Sequence, residues 1–273
     1  MEGKKPFKAI FRYKETECTI IGDDQRTVES AMSAIKHYRK ELEEYVRNHP
    51  RFSYSLIPVK VDEGPLVAKL MADAAEEANV GPMAAVAGVL ADLAVKDMVL
   101  RGSEVAVVEN GGEVSAVSNQ PVDLALLARD SPLSGTFGFR LKDFPEGVAT
   151  SSGQFSHAFS FGNAEVVTIF CKHAGLADAA ATAVGNLVGG KDPHRAIERG
   201  IERALSIQGV EGAFIMYRGL IGKAGRIPQI IKLSTEKTTT PFLEFLKSHM
   251  NPIIQQTSEV ALGDSCDSDL HKC

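Results

Sequence analysis

The chain has 273 residues, 44% of them apolar and 24% charged, with a formal net charge of -5. That allows a proper core in one large domain or two small ones, and the acidic balance argues against nonspecific nucleic-acid binding, which needs a basic surface to displace counterions. No run of about 18 apolar residues could span a membrane, and the basic start MEGKKPFKAIF lacks the apolar run and small-residue cleavage site of a signal peptide, so a cytoplasmic protein is expected.

Residues 7–13 and 18–21 are apolar or β-branched, with Lys14-Glu15-Thr16-Glu17 between them, which predicts an N-terminal hairpin. From 27 to 48, Val28, Met32, Ile35, Tyr38, Leu42 and Tyr45 recur at three- and four-residue spacing. This predicts one amphipathic helix, capped by Thr27 and stopped before Pro50. A short strand is predicted within 52–61. A second helix starts at Pro65, a favourable first-turn residue, and runs to about Ala78. After Gly81-Pro82 a third helix covers about 83–100; it is Ala-rich and apolar nearly all round, so it belongs in the interior.

Residues 104–108 and 113–117 flank Asn110-Gly111-Gly112, a hairpin signal because the glycines accept positive φ. Further strands are predicted at 123–128, 136–141 and 166–170, helices at about 175–188 and 193–206, and late strands at 212–217 and 229–233. One more helix is predicted at 242–250, and the polar end beyond it reads as a mobile tail. Helices and strands mix without strict βαβ alternation, so an α+β fold is predicted over a doubly wound one. The expected organisation is a single domain over 1–238, with a C-terminal helix and tail over 239–273. The two halves look alike, each with strands and a buried Ala-rich helix near a Gly-containing turn, which suggests an internal duplication.

Four segments could carry chemistry. Small residues dominate the helix start around Val86 and Gly88. They permit close approach of a backbone or a ligand, and free amides there would favour a phosphate; tight helix-to-sheet packing explains the same composition. The turn from Glu109 to Glu113 needs no function, and its two carboxylates could face a cleft or solvent. Ser151-Ser152-Gly153 offers hydroxyls and amides to a phosphate. His157 alternates onto one strand face with Phe155, Phe159 and Phe161, either as a candidate catalytic imidazole or as a satisfied histidine on a buried aromatic face.

The fourth segment places Asp178 and Thr182 four apart, on one helix face. A carboxylate in an Ala-rich, otherwise buried helix is costly unless paired or metal-bound. A carboxylate with a hydroxyl suits Mg2+, with waters and backbone carbonyls completing the shell. The alternative is an aspartate near a helix N-terminus, favoured by the dipole. No CxxC, HExxH or GxxxxGK[ST] pattern is present.

In order along the chain, AVAGVLAD (85–92), ENGGE (109–113), ATSSG (149–153) and LADAAATAV (176–184) resemble motifs of the ApbE-like superfamily of flavin transferases. The first is similar to that family's GAIAKGYAVD stretch, the second to its N-x-GGD, the third to its ATSG and the fourth to its ADALATAL-like helix. The resemblance covers residues 7–233. It implies a T-fold-like α+β domain, with mixed or antiparallel sheet and a cleft between two related halves. The implied ligands are a nucleotide-like small molecule, FAD or FMN, and Mg2+, with FMN moved onto a threonine of a partner protein. By match, Asp178 and Thr182 would hold the metal, helped by a backbone carbonyl near Val86. Val86, Gly88, Gly111, Gly112, Glu113, Ser151, Ser152 and Gly153 would meet the cofactor. The family's lysine is Ala87 here, its aspartate after the glycines is Glu113, and its HIIDPxTG-like segment is missing, with His157 alone in that region.

Two other functions stand beside this one. Cys266 and Cys273, with His271 between them, would suit a sulfur-handling or redox accessory protein, since accessible thiolates near a cation can exchange disulfides. The resemblance adds an association with sulfur assimilation. Cys18 and Cys171 lie in apolar segments and read as reduced thiols. The last reading is a non-catalytic homo-oligomer, because Ala- and Gly-rich helices suit subunit packing.

Overall fold

The computed structural model describes residues 6–126, 135–151 and 164–233. The N-terminal hairpin forms as predicted from β1 (Phe7–Tyr13) and β2 (Thr16–Gly22), turning through Lys14 at φ 54°. Helix α1 (Gln25–Asn48) follows, two residues earlier than its periodicity placed it. Its cap is Asp24, not Thr27. The Asp24 carboxylate accepts the Thr27 amide at 3.0 Å, and the Thr27 hydroxyl accepts the Asp24 amide at 3.3 Å. Two otherwise unpaired helix-start donors are thus satisfied reciprocally.

The strand predicted within 52–61 is absent. Pro50 opens a short helix instead, α2 (Pro50–Tyr54), because its fixed φ suits a first turn; residues 55–65 form neither helix nor strand. Helix α3 (Leu66–Ala78) ends at left-handed Asn79. The third predicted helix is split: a 3₁₀ turn, Pro82–Ala85, leads into α4 (Val86–Leu100). The predicted hairpin then follows as β3 (Val105–Asn110) and β4 (Glu113–Ser118), with Gly111 and Gly112 both at positive φ.

The remaining elements are β5 (Val122–Ala125), β6 (Phe137–Leu141), β7 (Glu146–Ser151), β8 (Val166–Cys171), α5 (Ala174–Leu187), α6 (Pro193–Ser206), β9 (Val210–Tyr217), β10 (Leu220–Gly225) and β11 (Gln229–Lys232). Sequence reading missed β7 and β10, whose glycines weaken the strand signal. The helix predicted at 242–250 lies outside the described residues.

Eight strands form one sheet in the order β1-β2-β3-β4-β7-β8-β9-β10, with every neighbouring pair antiparallel. The fold is α+β, and the order shows the duplication. Each half is a hairpin, then helices, then a second hairpin that pairs back on the first. The first half runs β1–β2, α1 to α4, β3–β4; the second runs β7–β8, α5–α6, β9–β10. The halves join where β4 pairs with β7.

Helices α1, α4, α5 and α6 lie side by side on one face of this sheet. On the other face, β11, β6 and β5 form a small antiparallel sheet. Phe137 and Phe139 from it meet Phe170 and Phe214 of the large sheet, ring to ring, as a fully buried aromatic cluster. The Ala-rich sides of α4 and α5 are buried against neighbouring helices and the sheet. Those faces are therefore covered within the chain. Among the described residues, no helix is long and apolar enough to cross a membrane.

Candidate functional site

The halves meet along a seam made by α4 and α5 above and β4 and β7 below. At this seam the glycines bring backbones together. A Cβ on Gly88 would lie 2.2 Å from the Ala174 carbonyl oxygen, and one on Gly147 would lie 2.3 Å from the Ala174 amide nitrogen. Only residues without a side chain fit there.

Neither helix is capped by a side chain of its own N-cap residue. Each is capped by the other. Asp92 of α4 accepts the Ala174 amide on Oδ1 at 3.0 Å and the Gly175 amide on Oδ2 at 2.9 Å. Asp178 of α5 accepts the Gly88 amide on Oδ2 at 3.0 Å. Carboxylates near helix N-termini are favoured by the exposed donors and the dipole. The Ser115 hydroxyl, on the helix-facing side of β4, also bonds to Asp92. Buried Asn110, at the end of β3, donates from Nδ2 to the Ala87 carbonyl at 3.0 Å.

Two carboxyls gather at one end of this seam. Glu113 stands at the start of β4, close enough to α5 for the charge of Asp178 to act on it. Loss of water, with Asp178's charge next in importance, holds the Glu113 carboxyl well above the usual carboxylate range. Loss of water likewise pushes Asp178 up to about 7, against the pull of the Gly88 and Ala87 amides. Thr182 follows Asp178 by one helical turn. All three residues are half-buried.

The set is entirely oxygen, which matches a hard divalent cation, and a cation would relieve the repulsion between the carboxylates. Among the described residues, no group of three or more His, Cys, Asp or Glu side chains could hold a metal. A cation here would therefore also draw on the Thr182 hydroxyl, backbone carbonyls or water.

The other predicted site residues fall out as follows. Val86 and Gly88 stand at the start of α4 beside Asp178. The Gly88 amide is already bonded to Asp178, so it is not the free anion donor expected from the sequence. Gly112's amide is taken as well, by Glu109 Oε1 at 3.0 Å. Gly111 is exposed in the turn. Ser151 closes β7 at the same end of the seam, because β7 runs antiparallel to β4. Ser152, Gly153 and His157 lie outside the described residues, as do Cys266, His271 and Cys273.

Sequence reading missed the roles of Asp92, Ser115 and Asn110. For Asp92 the signal was present: it is a carboxylate in an Ala-rich, apolar helix, the same anomaly that drew attention to Asp178. Elsewhere, a cleft of about 120 Å³ beside the connection from β10 to β11 is lined by residues including Arg140, Asp143 and Arg226, and shares none of the seam residues.

Comparison with known proteins agrees with this architecture. A family model described as AbpE bacteria matches residues 2–209. A UPF0280 protein of Methanopyrus kandleri is 44% identical over 225 residues, covering 81% of this chain and 91% of the relative. A UPF0280 protein of Methanococcus vannielii is 40% identical over 236 residues, covering 85% and 94%. Among solved structures, the ApbE protein of Thermotoga maritima superposes with a TM-score of 0.56 at 15% identity, covering 85% of this chain and 98% of that one. The apo flavinyl transferase ApbE of Pseudomonas stutzeri gives 0.54 at 13% identity, covering 82% and 96%. At these identities the structural likeness establishes the fold.

Proposed function

The chain belongs to the family described as AbpE bacteria, and from that membership and the seam geometry we propose that it binds a flavin nucleotide, FAD or FMN, together with Mg2+. The observation that carries this reading is the pairing of Glu113 with Asp178. Loss of water disfavours the charged form of both carboxyls, and the charge of Asp178 adds to the effect at Glu113. Asp178 and Thr182 would hold the cation, with Glu113 facing it and a backbone carbonyl near Val86 available at the start of α4. Bound there, Mg2+ would supply the positive charge that lets a phosphate approach two carboxylates. Gly111 and Ser151, at the same end of the seam, would flank the phosphate-bearing ligand. The bond from Gly88 to Asp178 Oδ2 fixes the carboxylate's direction in advance, as an outer partner of a metal ligand does. Support for a flavin comes from the fold shared with a flavinyl transferase.

Calorimetry on the full chain tests the proposal. FAD or FMN should bind with a heat that depends on Mg2+, and the heat should vanish in Asp178→Asn and weaken in Thr182→Ala. Flat traces with both flavins, with and without Mg2+, would overturn it. Following AMP release from FAD in the same mixture, with candidate acceptor proteins added, tests whether binding leads on to FMN transfer.

A further inference from the structure

We infer that Asp92 is a positioning residue for the cation site, acting through the start of α5 without touching the ion. The inference rests on the reading of Asp178 and Thr182 as cation ligands. Helix α5 has no side-chain cap of its own, so the placement of its first turn depends on Asp92, whose two oxygens take the Ala174 and Gly175 amides. Asp178 stands four residues after Ala174, one turn along the same helix, and Thr182 one turn further. A shift of that first turn therefore carries both ligands with it.

The neighbouring contacts leave little slack. Gly88 and Gly147 press against the Ala174 backbone from α4 and from β7. Asp178 returns the bond to the Gly88 amide. Ser115 steadies Asp92 from the sheet. The arrangement is a closed exchange in which each helix gives an amide and, four residues later, a carboxylate: Gly88 and Asp92 from one, Ala174 and Asp178 from the other. Asp92 is the member whose two oxygens are both taken by α5 amides, with Ser115 bonded to it as well. That commitment to the first turn of α5 makes it the half of the exchange that orients and leaves Asp178 as the half that binds.

The test uses Mn2+ alone as the probe, counted by the loss of the free-ion electron paramagnetic resonance signal on titrating the full chain. Asp92→Asn keeps one acceptor but turns an amide N–H2 toward the second backbone donor. It should stay folded by circular dichroism and bind Mn2+ about tenfold or more weakly, in the range found when outer partners of metal ligands are removed. The bound-ion spectrum should broaden or shift, which lowered stability alone would not produce. Asp178→Asn should abolish binding. If Asp92→Asn binds with wild-type affinity and an unchanged spectrum while Asp178→Asn does not bind, the positioning role is wrong and the cation reading stands. If wild type takes up no Mn2+, both fall. Should Asp92→Asn fail to fold, Ser115→Ala carries the comparison: a several-fold weaker affinity supports the role, and an unchanged one removes it.

Discussion

Gly88 and Ala174 sit so close that a single methyl group on the glycine would come within 2.2 Å of the alanine's carbonyl oxygen. The neighbour is backbone, held in the first turn of α5, so it cannot swing aside. Gly88→Ala should therefore cost about 1–3 kcal/mol, the usual range for forcing extra volume into a packed interior. Gly175→Ala should cost less. Its added Cβ would meet the Val89 Cγ2 at 2.5 Å, whereas the nearest backbone atoms lie 3.4 Å away. Urea midpoints of the two variants check the order; a Gly88→Ala protein as stable as wild type would mean the helices can separate freely.

The fold was legible where local rules decide it. The three- and four-residue spacing in α1, the Asn110-Gly111-Gly112 turn and the Ala-rich pattern of α4 and α5 each need only their own neighbours. What failed was also local in cause. β7 contains Gly147 and β10 contains Gly222 and Gly225, so their strand character comes from pairing in the sheet and not from propensity. The candidate site was half legible. Asp178 and Thr182 stood out by spacing, and the structure brings Glu113 to them from a different half of the chain. Asp92's exchange with α5 links residues more than eighty positions apart, and no periodicity reports a contact of that kind.

The carboxyl pair makes stability depend on pH. In the unfolded chain both groups return to about 4, whereas in the folded protein Asp178 rises to about 7 and Glu113 stands well above its usual range. The folded state therefore binds more protons through that window, and its stability falls as pH rises. The contribution is complete below the unfolded value and gone above the folded one. Asp178→Asn removes one titrating group and should flatten the decline, measured as urea midpoints at about pH 5 and about pH 8. A cation at the site adds to the effect: Mg2+ should raise the midpoint at the higher pH and do little at the lower, where the carboxyls already hold protons.

Thiol reactivity separates the described cysteines from the rest. Burial pushes the Cys18 thiol up to about 12, with Glu109 and Glu17 adding to the shift. Burial also raises Cys171, with Glu211 and Glu146 contributing. The thiolate is the reactive form, so both should be inert near neutral pH. The chain contains four cysteines. An aromatic disulfide reagent should therefore find at most two in the native protein and all four after denaturation. A third fast-reacting thiol in the native state would show that one of the two buried sites opens.

One residue before Gly147 of the seam, the buried carboxylate of Glu146 is held by Arg226. Its Nη2 donates to Glu146 Oε2 at 2.8 Å, while Glu146 is 1% exposed and its Oε1 has no partner among the described residues. Burial already raises the Glu146 carboxyl, and Arg226 is the main group opposing that rise. Removing one partner of a buried pair costs about 3–5 kcal/mol; with Arg226 itself 35% exposed, Arg226→Ala should fall toward the lower end of that range. The sign of its pH dependence follows from Glu146. Without the guanidinium the folded carboxyl rises further, so the variant is penalised most where Glu146 must carry charge. Lowering the pH toward the unfolded value lets it fold protonated, and the deficit against wild type should shrink. Arg226→Ala combined with Glu146→Gln should recover much of the loss at neutral pH, because no buried charge is then left unpaired. A deficit that is the same at low and neutral pH, and not rescued in the double variant, would show that Arg226 acts through packing rather than through the Glu146 charge.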